Sequence, residues 1–371
     1  VIFNDRKIHL KNLNFSISIK SYLKNEFGIK KATIESKYNK ISKYIDIYQS
    51  ENGSVEFYIL SRMLKDGDVK FKVDFEFDKK GKLNKNFIIY GNIKKAKINF
   101  SNNFMFDGIK FDFKLKKNNY ELSNTYFNFN NIDFNSKKII IKNNNESYQV
   151  KADVENKNGI LNNKILSIFL KEHQNYLNIE STKISSNSNF SFDIVKDFKI
   201  KNLKAKSNIR INEFKYLHKY NKIKKYLPSY EGQIYFRDNE IDINYSKNNY
   251  QFLASSNYSL NNLTDNLNFK IEKLKNLYNF NFDIRLDKNP ILLEELNYSK
   301  KQNKKSNLKI LGKYDKNKKL VFNKINFEEE KNSFKVENLI INKNFKIVKF
   351  DKIINNYLSK DKIKNNYSIA Y

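Results

Sequence analysis

Apolar and polar residues alternate along most of this chain. From 69 to 77 the apolar set Val69, Phe71, Val73, Phe75 and Phe77 is interleaved with Lys70, Lys72, Asp74 and Glu76. That is the period of two that a half-buried strand requires. The pattern returns at Leu13, Phe15, Ile17 and Ile19, at Ile109, Phe111, Phe113 and Leu115, and at Tyr148, Val150, Ala152 and Val154. It continues at Phe190, Phe192 and Ile194, at Ile241, Ile243 and Tyr245, at Leu267, Phe269 and Ile271, and over Tyr278, Phe280, Phe282, Ile284 and Leu286. Phe345 and Ile347 close the series with a phase slip at Val348 and Phe350, which a β-bulge would absorb.

The breaks between these runs are short and polar. Parallel strands need long crossovers, whereas hairpins join antiparallel strands directly. The chain therefore predicts an all-β fold: a long, curved, mostly antiparallel meander sheet with one polar and one aromatic, apolar face, and a few short helices. Helical spacing occurs at Leu161, Ile165, Ile168 and Phe169, and again at Tyr216, Tyr220, Ile223 and Leu227, where Pro228 stops the run. The second segment carries Lys215, Lys219, Lys222, Lys224 and Lys225, and reads as a helix packed on the sheet with a solvated basic face. The stretch from Ile353 to Ile363 allows a third helix, and Ser299 to Asn307 reads as a long polar loop. No firm domain boundary is visible. The expected organisation is one continuous elongated domain in three segments: 1–155, 156–230 with the short helices, and 231–371.

Composition sharpens this picture. With 9 Gly and 2 Pro in 371 residues, turns fall to Asn, which tolerates the left-handed conformation. Candidates are Asn143-Asn144-Asn145, Lys117-Asn118-Asn119 and Lys247-Asn248-Asn249. Aromatic residues make up 15% of the chain, which sets it apart from disordered sequences. The net charge of +30 points to a polyanionic partner or to AT-rich coding bias, which favours Lys, Asn, Ile, Phe and Tyr alike. The charge is spread along the chain, whereas a nucleic-acid binder gathers it in a patch or stripe. No nucleic-acid partner is therefore expected. There is no Cys and no run of ~18 apolar residues of the kind that spans a membrane as a helix. The first residue is Val1, not Met, so the reading is of a piece of a longer protein with any anchor or signal upstream.

Candidate chemistry is sparse. His9, His173 and His218 are far apart and lack metal-ligand spacing. No nucleophile elbow, phosphate loop or dinucleotide fingerprint is present. Glu328-Glu329-Glu330 reads as a solvated turn, and Asp66-Gly67-Asp68 as a hairpin turn of the Asp-Gly type. No catalytic residue, metal or cofactor is expected, and the chain does not read as an enzyme.

A sheet with one apolar face must hide it in a sandwich, a soluble barrel, a membrane barrel or an open trough filled by lipid tails. The absence of linkers disfavours a string of sandwiches. Uneven strand lengths and the absence of Trp disfavour the membrane barrel. An open groove fits best, lined by Val69, Phe71, Val73, Phe75, Phe77, Ile109, Phe111, Phe113, Leu115, Tyr278, Phe280, Phe282 and Ile284. Roughly 20 strands at ~4.8 Å spacing would give a channel on the order of 100 Å long. An outer-membrane β-barrel, a barrel-assembly component and a structural surface β protein remain as alternatives.

Two stretches carry a family resemblance. One is the alternating strand from Asp68 to Phe77, followed by Lys80-Gly81-Lys82-Leu83 and a new strand containing Gly91. The other is Lys224-Lys225-Tyr226-Leu227-Pro228, leading through Gly232 into Gln233-Ile234-Tyr235-Phe236. This texture resembles the AsmA-like family of repeating β-groove proteins, the TamB/YhdP type. The resemblance implies a periplasmic protein of a Gram-negative cell envelope that moves phospholipid between the inner and outer membranes. It also implies an inner-membrane anchor outside this chain, with other envelope proteins as possible partners. The family carries no catalytic residues to place on this sequence.

Overall fold

The computed structural model describes residues 2–3, 6–24, 26–52, 58, 61–84, 86–101, 104–144, 146–169, 177–179, 181–195, 199–217, 221–315, 319–342 and 346–370. The protein is all-β, a long antiparallel meander with a few short helices. The ladder starts at a strand over Leu10–Ile17 and ends at one over Lys364–Ala370, and no pairing joins the two among the described residues. The sheet is therefore not closed into a barrel. No helix among the described residues is long and apolar enough to cross a membrane.

Packing divides the chain into two units, Val1–Gly159 with Asn187–Lys204, and Ile160–Ser186 with Ala205–Tyr371. The first unit contains β1 (Ile2–Phe3), β2 (Arg6–Lys7), β3 (Leu10–Ile17), β4 (Ile29–Ser36), β5 (Asn39–Lys40), β6 (Leu64–Glu76), β7 (Ile88–Ser101), β8 (Phe104–Lys116), β9 (Asn119–Phe129), β10 (Ile132–Asn143) and nearly all of β11 (Ser147–Leu161). Next come β12 (Leu177–Asn178), β13 (Thr182–Val195) and β14 (Lys199–Leu217). The second unit continues with β15 (Gln233–Ser246), β16 (Asn249–Leu260), β17 (Leu263–Leu274), β18 (Leu277–Arg285), β19 (Ile291–Leu293), β20 (Tyr298–Lys300), β21 (Ser306–Asp315), β22 (Lys319–Glu329), β23 (Asn332–Ile341), β24 (Ile347–Lys349), β25 (Lys352–Leu358) and β26 (Lys364–Ala370).

The register turns the sequence alternation into apolar rows that cross the strands. In the first unit one row runs Leu13, Ile34, Val73, Ile89, Leu115, Tyr120, Ile141 and Val150, each paired with the next. In the second unit a row runs Ile241, Ala254, Phe269, Phe282, Ile310, Ile325, Val336, Ile353 and Ile369. Cross-strand pairs of aliphatic and aromatic residues are the unit of sheet stabilisation. Asparagine makes many of the turns, as its use in this Gly-poor chain predicts. Asn130-Asn131 and Asn261-Asn262 both have two consecutive positive φ angles, the geometry of the tightest hairpins. The Lys117-Asn118 and Lys247-Asn248 turns likewise join β8 to β9 and β15 to β16.

Many strands bend at an internal bulge. Lys95, Gly108, Asn124, Asp238 and Asn338 all lie inside strands with φ between +51° and +59°. Register slips accompany several of them, at Ile93/Ala96, Asp107/Lys110 and Arg237/Glu240. Each bulge inserts one residue, bends its strand and shifts the phase of the alternation.

Several sequence expectations need correction. Asp66-Gly67-Asp68 is not a hairpin turn. It lies inside β6 as a bulge, with register slips on both sides and Gly67 at φ +146°. The reason is packing: a Cβ on Gly67 would sit 2.6 Å from Ile41 Cδ1, on a helix spanning Ile41–Asn52 that the periodicity did not reveal. The stretch from Ile353 to Ile363 is not helical but supplies β25, because Ile353 continues an apolar row. Tyr216 belongs to β14, so the second predicted helix is only Asn221–Tyr226. The first is present as Asn163–Phe169, but Leu161 belongs to β11. Ile19 starts a helix, Ile19–Leu23, and does not extend β3. His173, His218, Lys219, Tyr220, Asn145 and Phe345 lie outside the described residues.

Candidate apolar binding site

The predicted lining residues divide into three groups. In the first unit Val69, Val73 and Ile109 are buried, and Phe71, Phe75 and Phe77 are met by rings from other segments. Phe71 takes Tyr44 of helix Ile41–Asn52 edge-on at 5.5 Å, Phe75 takes Phe87 at 5.2 Å, and Phe77 takes Phe27 at 5.7 Å. Phe111 and Phe113 contact each other at 6.4 Å, and Leu115 is half-buried in the row through Val73. In the second unit Tyr278 lies between Tyr250 and Tyr314, Phe280 against Phe282 and Phe322, and Phe282 on Phe269. These rings are half-buried except Tyr314, which is exposed. They pave the sheet face without filling a closed core.

Ile284, in the third group, lines a formed cavity. This chamber lies wholly within the second unit and has a volume of about 510 Å³. Its floor is the sheet face near one end of the strands: Ile234 and Phe236 of β15, Tyr258 and Leu260 of β16, Leu267 of β17, Ile284 of β18, Leu308 of β21, Ile325 and Phe327 of β22, and Phe334 of β23. Its other walls come from Ile223, Tyr226, Leu227 and Tyr230 in and just after helix Asn221–Tyr226, and from Leu286, Ile291 and Leu293, with the helix packed against Ile291–Leu293. Every lining side chain is aliphatic or aromatic.

The elements above the floor are held by polar bonds. Residues 286–305 form an insertion between β18 and β21, where neighbouring hairpins close in two residues. The floor end of β17 carries Asp265, a buried carboxylate on the otherwise apolar face. It accepts hydrogen bonds from the backbone N–H of Lys288 and Asn289, and from Asn289 Nδ2 at 2.8 Å. Asn289 is fully buried. Lys300 is 2% exposed and donates from Nζ to the carbonyls of Asn289 (2.7 Å), Asp287 (3.2 Å) and Lys301 (3.2 Å). Burial pushes the Lys300 ammonium below its ordinary pKa.

Three tyrosines complete the clasp. Tyr298 donates to Glu329 Oε2 at 2.5 Å, Tyr258 to the Arg285 carbonyl at 2.6 Å, and Tyr357 to the Leu296 carbonyl at 2.9 Å. Burial, with the Glu329 charge beside Tyr298, raises the phenol pKa of Tyr258 and Tyr298, which keeps both as neutral donors. Helix Asn221–Tyr226 joins the insertion through Lys225, whose Nζ pairs with Glu295.

This clasp overturns two further expectations. Glu329 is not part of a solvated turn. It is buried, accepting from Tyr298 and from Asn332 Nδ2 at 2.7 Å, and only Glu328 and Glu330 remain at the surface. Nor is Ser299 to Asn307 simply a polar loop, because Lys300 and Ser306 are buried and lie in strands. Periodicity missed the walls of the chamber. The signal was present in Pro290-Ile291-Leu292-Leu293, an apolar run with no period-two partner, set in a connection far longer than its neighbours. No family model matches this chain, and no curated protein or solved structure gives a significant match, so its function has to be argued from its own residues.

Proposed function

We propose that this protein binds lipid acyl chains on the apolar face of its sheet and conducts phospholipid between the inner and outer membranes, in the manner of the AsmA-like groove proteins it resembles. In this reading it works in the periplasm, held to the inner membrane by a segment outside this chain. The observation that carries the reading is the pair of apolar rows, each crossing eight or more strands within one unit and built of half-buried rings and aliphatic side chains. Moving a methylene out of water onto such a face gains ~0.8 kcal/mol. Moving it from one strand to the next along a row exchanges like for like, so no step within a row traps the lipid. The unclosed ladder favours this reading over a membrane barrel, since unpaired strand edges are not tolerated in the hydrocarbon layer.

Native mass spectrometry after gentle extraction tests the binding step, with co-purified phospholipid as the expected result. Phe71→Asp and Phe282→Asp should each abolish lipid transfer between donor and acceptor vesicles while expression and β content are kept. A lipid-free protein whose transfer rate matches the no-protein blank would end the proposal.

A further inference from the structure

We infer that the chamber in the second unit is a stationary binding site for the long hydrocarbon tail of an amphiphile, with its polar head left outside at the rim formed by Ile223 and Tyr226. The inference takes its ligand class from the lipid reading above, but it is a separate claim. The sheet face passes a chain along, whereas the chamber holds one.

The lining argues for hydrocarbon and against other ligands. It has no charged or amide side chain, and its hydroxyls are confined to Tyr226 at the exposed rim, Tyr230, and Tyr258, which is committed to the Arg285 carbonyl. A sugar, nucleotide or peptide placed there would leave its polar atoms without partners, a cost that no other contact offsets. The volume of about 510 Å³ falls within the ~300–1,000 Å³ range of small-molecule sites. Water gains little in such a space, because it needs several polar partners to be held.

The construction argues for holding and not transit. Protein interiors ordinarily close over voids of this size. Here the insertion is pinned by Asp265, Asn289 and Lys300, none of which lines the chamber. The insertion forms one wall, and Ile223 and Tyr226 of the helix packed beside it are 37% and 42% exposed. An apolar rim of that kind is where a tail would enter. Helix Asn221–Tyr226 packs against the insertion at β19 and is also tied to it by the exposed ion pair of Lys225 with Glu295.

The test uses the whole chain and a palmitic acid carrying a photoactivatable diazirine on its tail, with labelled peptides mapped by mass spectrometry. Labelling should saturate at one tail per chain and fall on peptides containing the chamber residues. Ile284→Trp and Leu308→Trp, which fill the space, should raise the half-saturation concentration at least tenfold. Tyr22→Trp, at an exposed position of the first unit, should leave it unchanged. Circular dichroism and thermal unfolding identify any variant that has simply failed to fold, and in that case the wild-type labelling map and stoichiometry decide. Labelling spread evenly over both units, or unaffected by either filling variant, would overturn the chamber while leaving conduction standing. Labelling confined to the chamber, together with normal lipid transfer by Phe71→Asp and Phe282→Asp, would remove conduction and leave the chamber. No labelling at all would overturn the inference.

Discussion

Two glycines occupy equivalent places in the two units. Gly91 of β7 is paired with Phe71 on one side and Phe113 on the other, and Gly312 of β21 with Phe280 and Phe322. In each case an aromatic ring lies over the missing side chain. A Cβ on Gly91 would fall 2.2 Å from Phe113 Cζ and 2.4 Å from the Lys70 carbonyl oxygen. On Gly312 it would fall 2.3 Å from Phe280 Cζ and 2.6 Å from the Val321 carbonyl oxygen. Glycine in a strand interior normally costs ~0.5–1 kcal/mol against alanine. Here the clash outweighs that gain, because one of the two colliding atoms belongs to backbone and cannot swing away. Gly91→Ala and Gly312→Ala should each destabilise the protein by ~1–3 kcal/mol, the usual range for overpacking, as read from urea unfolding. Gly28→Ala is the control, since its Cβ would meet nothing closer than 3.8 Å, and it should be near neutral. The sequence marks these positions only as glycines breaking an apolar alternation. That they seat a ring from the next strand follows from register, which one sequence does not display.

At the scale of elements, the strands were legible and their interruptions were not. Runs such as 69–77 and 278–286 announce β6 and β18 because one face of each is apolar throughout. Bulges erase that signal, since one inserted residue moves every later side chain to the other face. The insertion over residues 286–305 was hidden for a different reason. It is stabilised by buried polar groups, and Lys300 or Asp265 in a sequence looks like any surface charge. Lys300→Met should reveal what that lysine does. The substitution keeps an apolar stem but leaves the Asn289, Asp287 and Lys301 carbonyls without their donor. A loss of ~1–3 kcal/mol is expected for such stranded groups, with amide hydrogen exchange accelerated across residues 287–305. The pH dependence has a definite sign. The unfolded chain binds the Lys300 proton more tightly than the folded one, so wild-type stability rises relative to the variant between the lowered pKa and the ordinary 10.5. A variant more stable than wild type at neutral pH would mean that burying the charge costs more than its hydrogen bonds return.

Over the whole molecule the dominant electrostatic fact is the net charge of +30. Its distribution follows from the fold. Lysines fill the polar positions of strand after strand, where they meet Asn, Asp and Glu across the ladder, as with Lys138 and Glu121 at 3.0 Å or Lys309 and Asp283 at 3.7 Å. These pairs are largely solvent-exposed, and such pairs contribute ~0–1 kcal/mol each. With 70 basic residues against 40 acidic ones, most of the excess has no opposite charge to meet, and self-repulsion works against the folded state. Salt acts on both terms, screening the attraction within pairs and the repulsion among the excess. The Debye length falls from ~30 Å at 0.01 M to ~3 Å at 1 M. Repulsion acts over the longer distances, so screening removes it first. The melting temperature should therefore rise by several degrees as sodium chloride is raised from about 0.02 M to about 0.3 M, a span over which the Debye length drops to a few ångströms. Differential scanning calorimetry in chloride, repeated in sulfate to separate screening from anion exclusion, reads this directly. A melting temperature that falls with chloride would show that the ion pairs outweigh the excess charge, and that the polar face is built for stability and is more than a by-product of lysine-rich composition.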